Sequence, residues 1–229
     1  MLAIDLSQDW INSTVTIRSI TKSSGVPILD SGSLWYHEAE GLLYTGFAGQ
    51  PSQFNKDPTL PPQTIWTFKP DGTGSGAWNE AISAQAASLK EIVQPVGSLM
   101  AYGPDTAWSL GGSLSTSDPY RVGAALPSLV EFNFGSKTFT NMSDTGYTFN
   151  GTAANGEMHY VPSFGPEGIV IAMGATPAIV GGLIRFTTVH VYDPAKQQWL
   201  SQATTGDAPA ARIGFCAAGV NSTNGTYEM

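Results

Sequence analysis

The feature that most constrains this chain is a punctuation that returns at a period of roughly 60 residues. Each unit opens with a small-residue turn and an aromatic-bearing run: GSLWYHEAEG from Gly32, GSLMAYGPDT from Gly97 and GEMHYVPSFGPEG from Gly156. A hydrophobic run ending in small residues follows, as LLYTGFAG, AWSLGG and IVIAMGA. After a long insert of variable sequence come an alternating strand, a turn and an aromatic: TIWTFKPDGTGSGAW, LVEFNFGSKTF and VHVYDPAKQQW. The recurring aromatics are Trp78, Phe139 and Trp199, and Trp10 reads as a fourth. Helical repeats are mostly shorter and carry 3.6-residue patterning, so a unit of this length with several short strands points to propeller blades.

The pattern predicts an all-β chain, one propeller domain over 1–229 with three four-stranded blades at 26–92, 93–149 and 150–207. Residues 1–25 match only the second half of a unit, and residues 208–229 only the first half. The leading expectation is a piece of a larger ring, unstable or self-associating when alone because its end sheets lack neighbours. In the alternative, the two half-units pair into a composite blade and close a small ring.

Composition narrows the function classes. Charged residues make up only 12% of the chain, which suits strands joined by turns and argues against a charge-driven disordered segment. The formal net charge of −8 repels a nucleic-acid backbone. The single cysteine, Cys216, excludes an internal disulfide framework and a cysteine-cluster zinc site, and is expected to be a small buried residue of the strand GFCAAGV. The N-terminus MLAIDLSQDW has neither the basic start nor the apolar stretch of a secretory signal. The uncharged run 168–184 is short for a bilayer span, is interrupted by Pro177 and aligns with a blade strand entering a loop. Five of the nine asparagines, Asn12, Asn141, Asn150, Asn221 and Asn224, are N-glycosylation acceptors, an excess that suits a parent protein of the secretory pathway.

The alternation holds within single strands. In VHVYDPAKQQW, Val189 and Val191 share one face with Asp193, and His190 and Tyr192 share the other, before an Asp-Pro turn and Trp199. Glycines after each second strand, Gly49, Gly111 with Gly112, and Gly174, permit positive φ or close backbone approach near the axis. The sequence resembles the kelch repeat: a hydrophobic strand ending in a glycine doublet, then an aromatic, then a tryptophan after a second hairpin. The doublet is intact in SLGG and degenerate in FAG and AMGA, and VHVYDPAKQQWLSQATTGDAPAARIGFCAAGV is the closest match. More narrowly, FKPDGTGSGAWNE, MAYGPDTAW and NGTAANGEMHYVPSFGPEG resemble the galactose-oxidase-central-domain propellers of filamentous fungi. That resemblance implies six or seven four-stranded blades in a secreted or surface protein. One segment disagrees: WNEAISAQAASLKEIV has high helix propensity. The expectation is strand through Ile82, then a loop with one helical turn within 84–91.

No motif stands out as catalytic. His37, Glu38 and Glu40 in YHEAEG lack a second histidine one helical turn on, and read as solvated groups of a turn. GTGSGAW precedes a tryptophan-bearing strand instead of a helix, so it reads as a plain turn. Galactose-oxidase chemistry implies two histidines, a tyrosine and a cysteine-linked tyrosine around copper. Here His37, His159 and His190 fall in different units and Cys216 has no evident tyrosine partner. The expectation is therefore a non-catalytic binding or scaffold module with no metal or cofactor, taking a protein or carbohydrate ligand. The alternative is a fragment of a galactose-oxidase-like enzyme whose catalytic groups lie in other blades. Chain direction places the long second-to-third-strand inserts on one rim, where binding groups usually sit. The contact candidates there are Phe54, Lys56, Asp118, Tyr120 and Arg121, with Lys137 and Lys196 on the opposite rim.

Overall fold

The computed structural model describes residues 2–5, 7, 9–54, 59–117, 123–142, 147, 152–177 and 181–229. Those residues form an all-β chain in which α1 (Ala87–Lys90) is a single helical turn. It opens with a two-stranded antiparallel sheet of β1 (Leu2–Ile4) and β2 (Ile17–Ser19). In the first blade a short β3 (Leu29–Asp30) precedes β4 (Leu34–His37) and β5 (Leu42–Thr45). A short β6 (Gln50–Pro51), β7 (Ile65–Pro70) and β8 (Gly76–Ile82) complete it. The second blade contains β9 (Pro95–Val96), β10 (Leu99–Tyr102), β11 (Thr106–Leu110), β12 (Ser113–Leu114), β13 (Leu129–Asn133) and β14 (Thr138–Met142). The third consists of β15 (Glu157–Val161), β16 (Ile169–Met173), β17 (Thr188–Asp193) and β18 (Gln198–Ala203). A last two-stranded sheet pairs β19 (Val220–Asn221) with β20 (Tyr227–Glu228).

Three antiparallel four-stranded sheets result, ordered β4-β5-β7-β8, β10-β11-β13-β14 and β15-β16-β17-β18. The first strands β4, β10 and β15 lie beside one another, so each sheet radiates outward from a common inner edge. Period-two alternation explains how the sheets stack. On β17, His190 and Tyr192 are buried while Val189 and Val191 are half-buried, so one face is pressed into a neighbouring blade. On β13, Val130 and Phe132 face the first blade while Leu129 joins the core shared with the third.

A small antiparallel pair recurs on the insert side of each blade. Leu29 and Asp30 pair with Pro51 and Gln50, Pro95 and Val96 pair with Leu114 and Ser113, and Ala154 bridges Thr176. These pairs have no strong sequence signal, because two residues are too few to show alternation.

The glycine doublet shows how the blades come together. Gly111 and Gly112 both have positive φ, and Gly112 N–H donates to the Ala153 carbonyl at 2.6 Å. A Cβ on Gly111 would lie 2.3 Å from that same carbonyl oxygen, so only glycine lets the two backbones touch. In the third unit the doublet's second position is Ala175, buried at φ +80°, and Gly156 opposite supplies the missing room.

The end sheets dock on different blades. Arg18 of β2 donates to the Thr73 carbonyl in the β7–β8 turn at 3.2 Å, and Tyr227 of β20 bonds His159 of β15 at 2.6 Å. Among the described residues no strand pair joins the first sheet to the last. Cys216 is exposed and outside any strand, a correction to its expected burial: residues 215–219 leave sheet geometry. In the run 168–184, Ile169–Met173 is the blade strand β16, and no helix of the described residues is long and apolar enough to cross a membrane.

Candidate functional site

Each inter-blade seam has the same scaffold. Second-strand residues of one blade face third-strand residues of the next, and the turns between strands one and two and between strands three and four close the seam on the rim away from the inserts. Register makes the equivalences explicit. Tyr44 pairs with Thr67 in the first blade, as Trp108 pairs with Glu131 in the second. Phe132 pairs with Phe139 in the second blade, as Tyr192 pairs with Trp199 in the third.

The first seam is filled. Phe132 lies 5.7 Å from Trp35 and 5.7 Å from Tyr44, and Phe134 packs 5.1 Å from Tyr44 and 4.6 Å from the His37 ring. Above them Tyr44 donates its hydroxyl proton to Glu40, and Lys137 Nζ reaches both Glu40 oxygens at 2.9 Å and the Tyr44 hydroxyl. His37 Nδ1 lies 2.9 Å from Glu40. Burial opposes the Glu40 charge, yet the hydrogen bonds from Tyr44 and Lys137 and the nearby His37 outweigh it and hold the carboxyl at about 2. The expectation that His37 is a solvated turn group is thereby corrected, since it is buried; Glu40 stays exposed while joining the inter-blade contact.

The second seam is open on the same rim. Pro194 occupies the place of Phe134 and Gln197 the place of Lys137, each of the latter two sitting at the same left-handed turn position with φ +52° and +57°. A cleft of about 600 Å³ results, lined by Asp105, Trp108, Glu131, Tyr160, Glu167 and Gln197 among others. Its floor is fixed. Glu131 Oε1 accepts from Trp108 Nε1 at 3.1 Å and from the Tyr192 hydroxyl at 2.8 Å, joining the two blades through one carboxylate. Trp108 stacks on Tyr160 at 5.8 Å, and the Tyr160 hydroxyl donates to the Glu167 carbonyl at 3.1 Å. Burial, then the negative charges of Asp105 and Glu167, push the Tyr160 hydroxyl above its ordinary range. Lys196, the cation nearest in sequence to this wall, is held by Asp193 Oδ2 at 2.9 Å. The cleft is thus an acidic, aromatic-lined concavity with a rigid floor.

The insert rim is a different surface. Phe54 follows β6 and is 86% exposed, while Lys56, Asp118, Tyr120 and Arg121 lie outside the described residues. The first and second inserts approach where Leu60 N–H meets Ser117 Oγ at 3.5 Å. The acceptors Asn12, Asn141, Asn221 and Asn224 are exposed, and Asn150 lies outside the described residues. The three histidines do not meet. His37 stacks on Phe134, His159 bonds Tyr227, and His190 Nδ1 lies 3.2 Å from Ser201 Oγ, with burial lowering the pKa of the last two. Among the described residues no three histidine, cysteine or carboxylate side chains converge to hold a metal ion.

This architecture has a solved counterpart. The structure of YjhT, a kelch-type propeller protein, superposes on 93% of the chain at a TM-score of 0.56 and 11% identity. The fold is that of a kelch-type β-propeller. A Kelch repeat-containing protein of the fungus Arthroderma benhamiae is similar in sequence, 24% identical over 98% of the chain. No family model matches. The propeller segment spans 38% of the length of the Arthroderma protein and 64% of the YjhT chain. Sequence reasoning placed the binding groups on the insert rim and missed the seam cleft. The signal was present as a change of residue type at one repeat position, Phe134 to Pro194, but it is visible only once the turns are aligned in space.

Proposed function

We propose that this propeller segment is a non-catalytic binding module of a secreted or cell-surface protein. The observation that carries the reading is the seam between the second and third blades. It keeps a cleft of about 600 Å³ where the preceding seam, built on the same positions, is filled by Trp35, Tyr44, Phe132 and Phe134. A concavity with a rigid floor and a few converging polar groups is the usual form of a recognition site. The dispersal of His37, His159 and His190 over three separate contacts supports a binding role over copper-radical chemistry. Exposure of Asn12, Asn141, Asn221 and Asn224, with Asn141 on the outermost strand of its blade, supports passage through the secretory pathway. The highly exposed Phe54 favours a second contact surface on the insert rim, together with Lys56, Asp118, Tyr120 and Arg121.

The test uses the parent-length protein produced in a fungal secretory host and screened against peptide and glycan arrays. Binding weakened by substitutions at Asp105 and Glu167 supports the seam, and binding weakened by alanine at Phe54, Tyr120 and Arg121 supports the insert rim. Oxygen consumption by the copper-loaded protein with galactose or a primary alcohol, at rates of an enzyme, would overturn the non-catalytic reading. Asn-to-Gln substitution at the acceptors removes the endoglycosidase-sensitive mass in the secreted product if the localisation is right.

A further inference from the structure

The seam cleft has a chemistry that goes beyond a generic binding role. Asp105, Glu131 and Glu167 line it, and its lining contains no lysine, arginine or histidine. Two lysines of the neighbouring turns, Lys137 and Lys196, are each paired with a carboxylate, Glu40 and Asp193. Glu131 is not a free surface acid: the two donors from Trp108 and Tyr192 converge on its Oε1 and fix the carboxylate as part of the floor. No group of three metal-holding side chains forms among the described residues, so the three carboxylates do not make a metal site. A cation that satisfies separated carboxylates across such a space must itself be extended and carry several donors. The guanidinium group has five N–H donors in a rigid fork, is always charged and pairs bidentately with carboxylates, whereas an ammonium is a point charge. Its aliphatic stem needs an apolar wall, which Pro104, Pro162 and Pro194 provide. The chain's net charge of −8 adds long-range attraction for a basic partner.

We infer that the cleft between the second and third blades receives an arginine side chain presented by a partner polypeptide. The inference rests on the binding-module reading and names the ligand class for its seam. The experiment is an NMR titration of the protein, indole-labelled at tryptophan, with the tripeptide Ac-Gly-Arg-Gly-NH2. Controls are the neutral isostere Ac-Gly-citrulline-Gly-NH2 and the lysine tripeptide. The Trp108 indole N–H, bonded to Glu131, reports directly on the site. The expected result is a saturable shift of Trp108 with the arginine peptide, at least tenfold weaker binding of the lysine peptide, and none of the citrulline one. Asp105→Asn with Glu167→Gln should weaken arginine binding at least tenfold without moving the thermal midpoint. Glu131→Gln, which keeps an oxygen acceptor for Trp108 and Tyr192, should weaken it as well. Equal binding of citrulline or lysine, an unshifted Trp108, or indifference to the double variant overturns the inference. If Trp108 stays silent while an array ligand binds through the insert rim, the binding-module reading survives and this inference alone falls.

Discussion

The two seams of this propeller segment use equivalent positions for opposite ends. Between the first and second blades, Trp35, Tyr44, Phe132 and Phe134 fill the interior, and Glu40 with Lys137 closes the rim. Between the second and third, Trp108, Glu131 and Tyr192 replace Tyr44, Thr67 and Phe132, and Pro194 with Gln197 replaces the plug. A repeat fold needs each blade to pack on its neighbours, but it does not need every seam to pack to the rim. The comparison shows where a propeller can hold a concavity: in the outer layer of a seam, where one aromatic fewer leaves a cleft without breaking the core beneath.

The largest expected effect lies in the filled seam. Phe132→Ala removes a fully buried ring that touches Trp35, Tyr44, Phe134 and Phe139, and should cost about 3–5 kcal/mol in denaturant unfolding. A loss under about 1 kcal/mol would mean that this seam is not packed as described. At the equivalent position of the open seam, Tyr192→Phe keeps the buried ring and deletes only the hydroxyl bonded to Glu131. It should cost less, about 1.5–3 kcal/mol, as for a hydrogen bond to a charged group. A loss under about 0.5 kcal/mol would mean that the Tyr192–Glu131 bond across the open seam does not form.

How much of this contrast the sequence carried depends on the kind of signal. The blades were legible because alternation and turn chemistry repeat three times, so His190 and Tyr192 could be placed on a buried face from VHVYD alone. The helical turn at Ala87–Lys90 was legible as a propensity conflict after Ile82. The seams were not legible, because they form between units whose register in space is set by backbone contacts such as Gly112 to Ala153. His37 and Glu40 show the failure most clearly. They sit in a turn that reads as solvated, and only the neighbouring blade shows otherwise: its Phe134 covers His37, and its Lys137 pairs with the still exposed Glu40.

Smaller effects sharpen the rim of the first seam. Lys137→Met should cost about 0.2–1 kcal/mol, since the Lys137–Glu40 pair is partly exposed, and the loss should shrink in high salt. Its pH dependence follows from Glu40. The folded carboxyl titrates at about 2 against an ordinary 4.5, so its stabilisation is fully present above about 4.5 and is lost as pH falls from there towards 2. Urea midpoints of the wild-type protein and of Lys137→Met, measured from pH 6 to pH 2, should therefore converge across that window. Midpoints that stay parallel would mean that the ion pair does not form.

The claim that one seam is sealed and the next is open can be read in a single spectrum. The protein is prepared with ring-labelled tyrosines, and a neutral gadolinium chelate is added while the aromatic signals are followed by NMR. Tyr44, fully buried behind Phe132 and Phe134, should keep sharp signals, and Tyr160, which lines the cleft, should lose intensity steadily with chelate concentration. Tyr160 as protected as Tyr44, or Tyr44 bleached alongside it, would contradict the account.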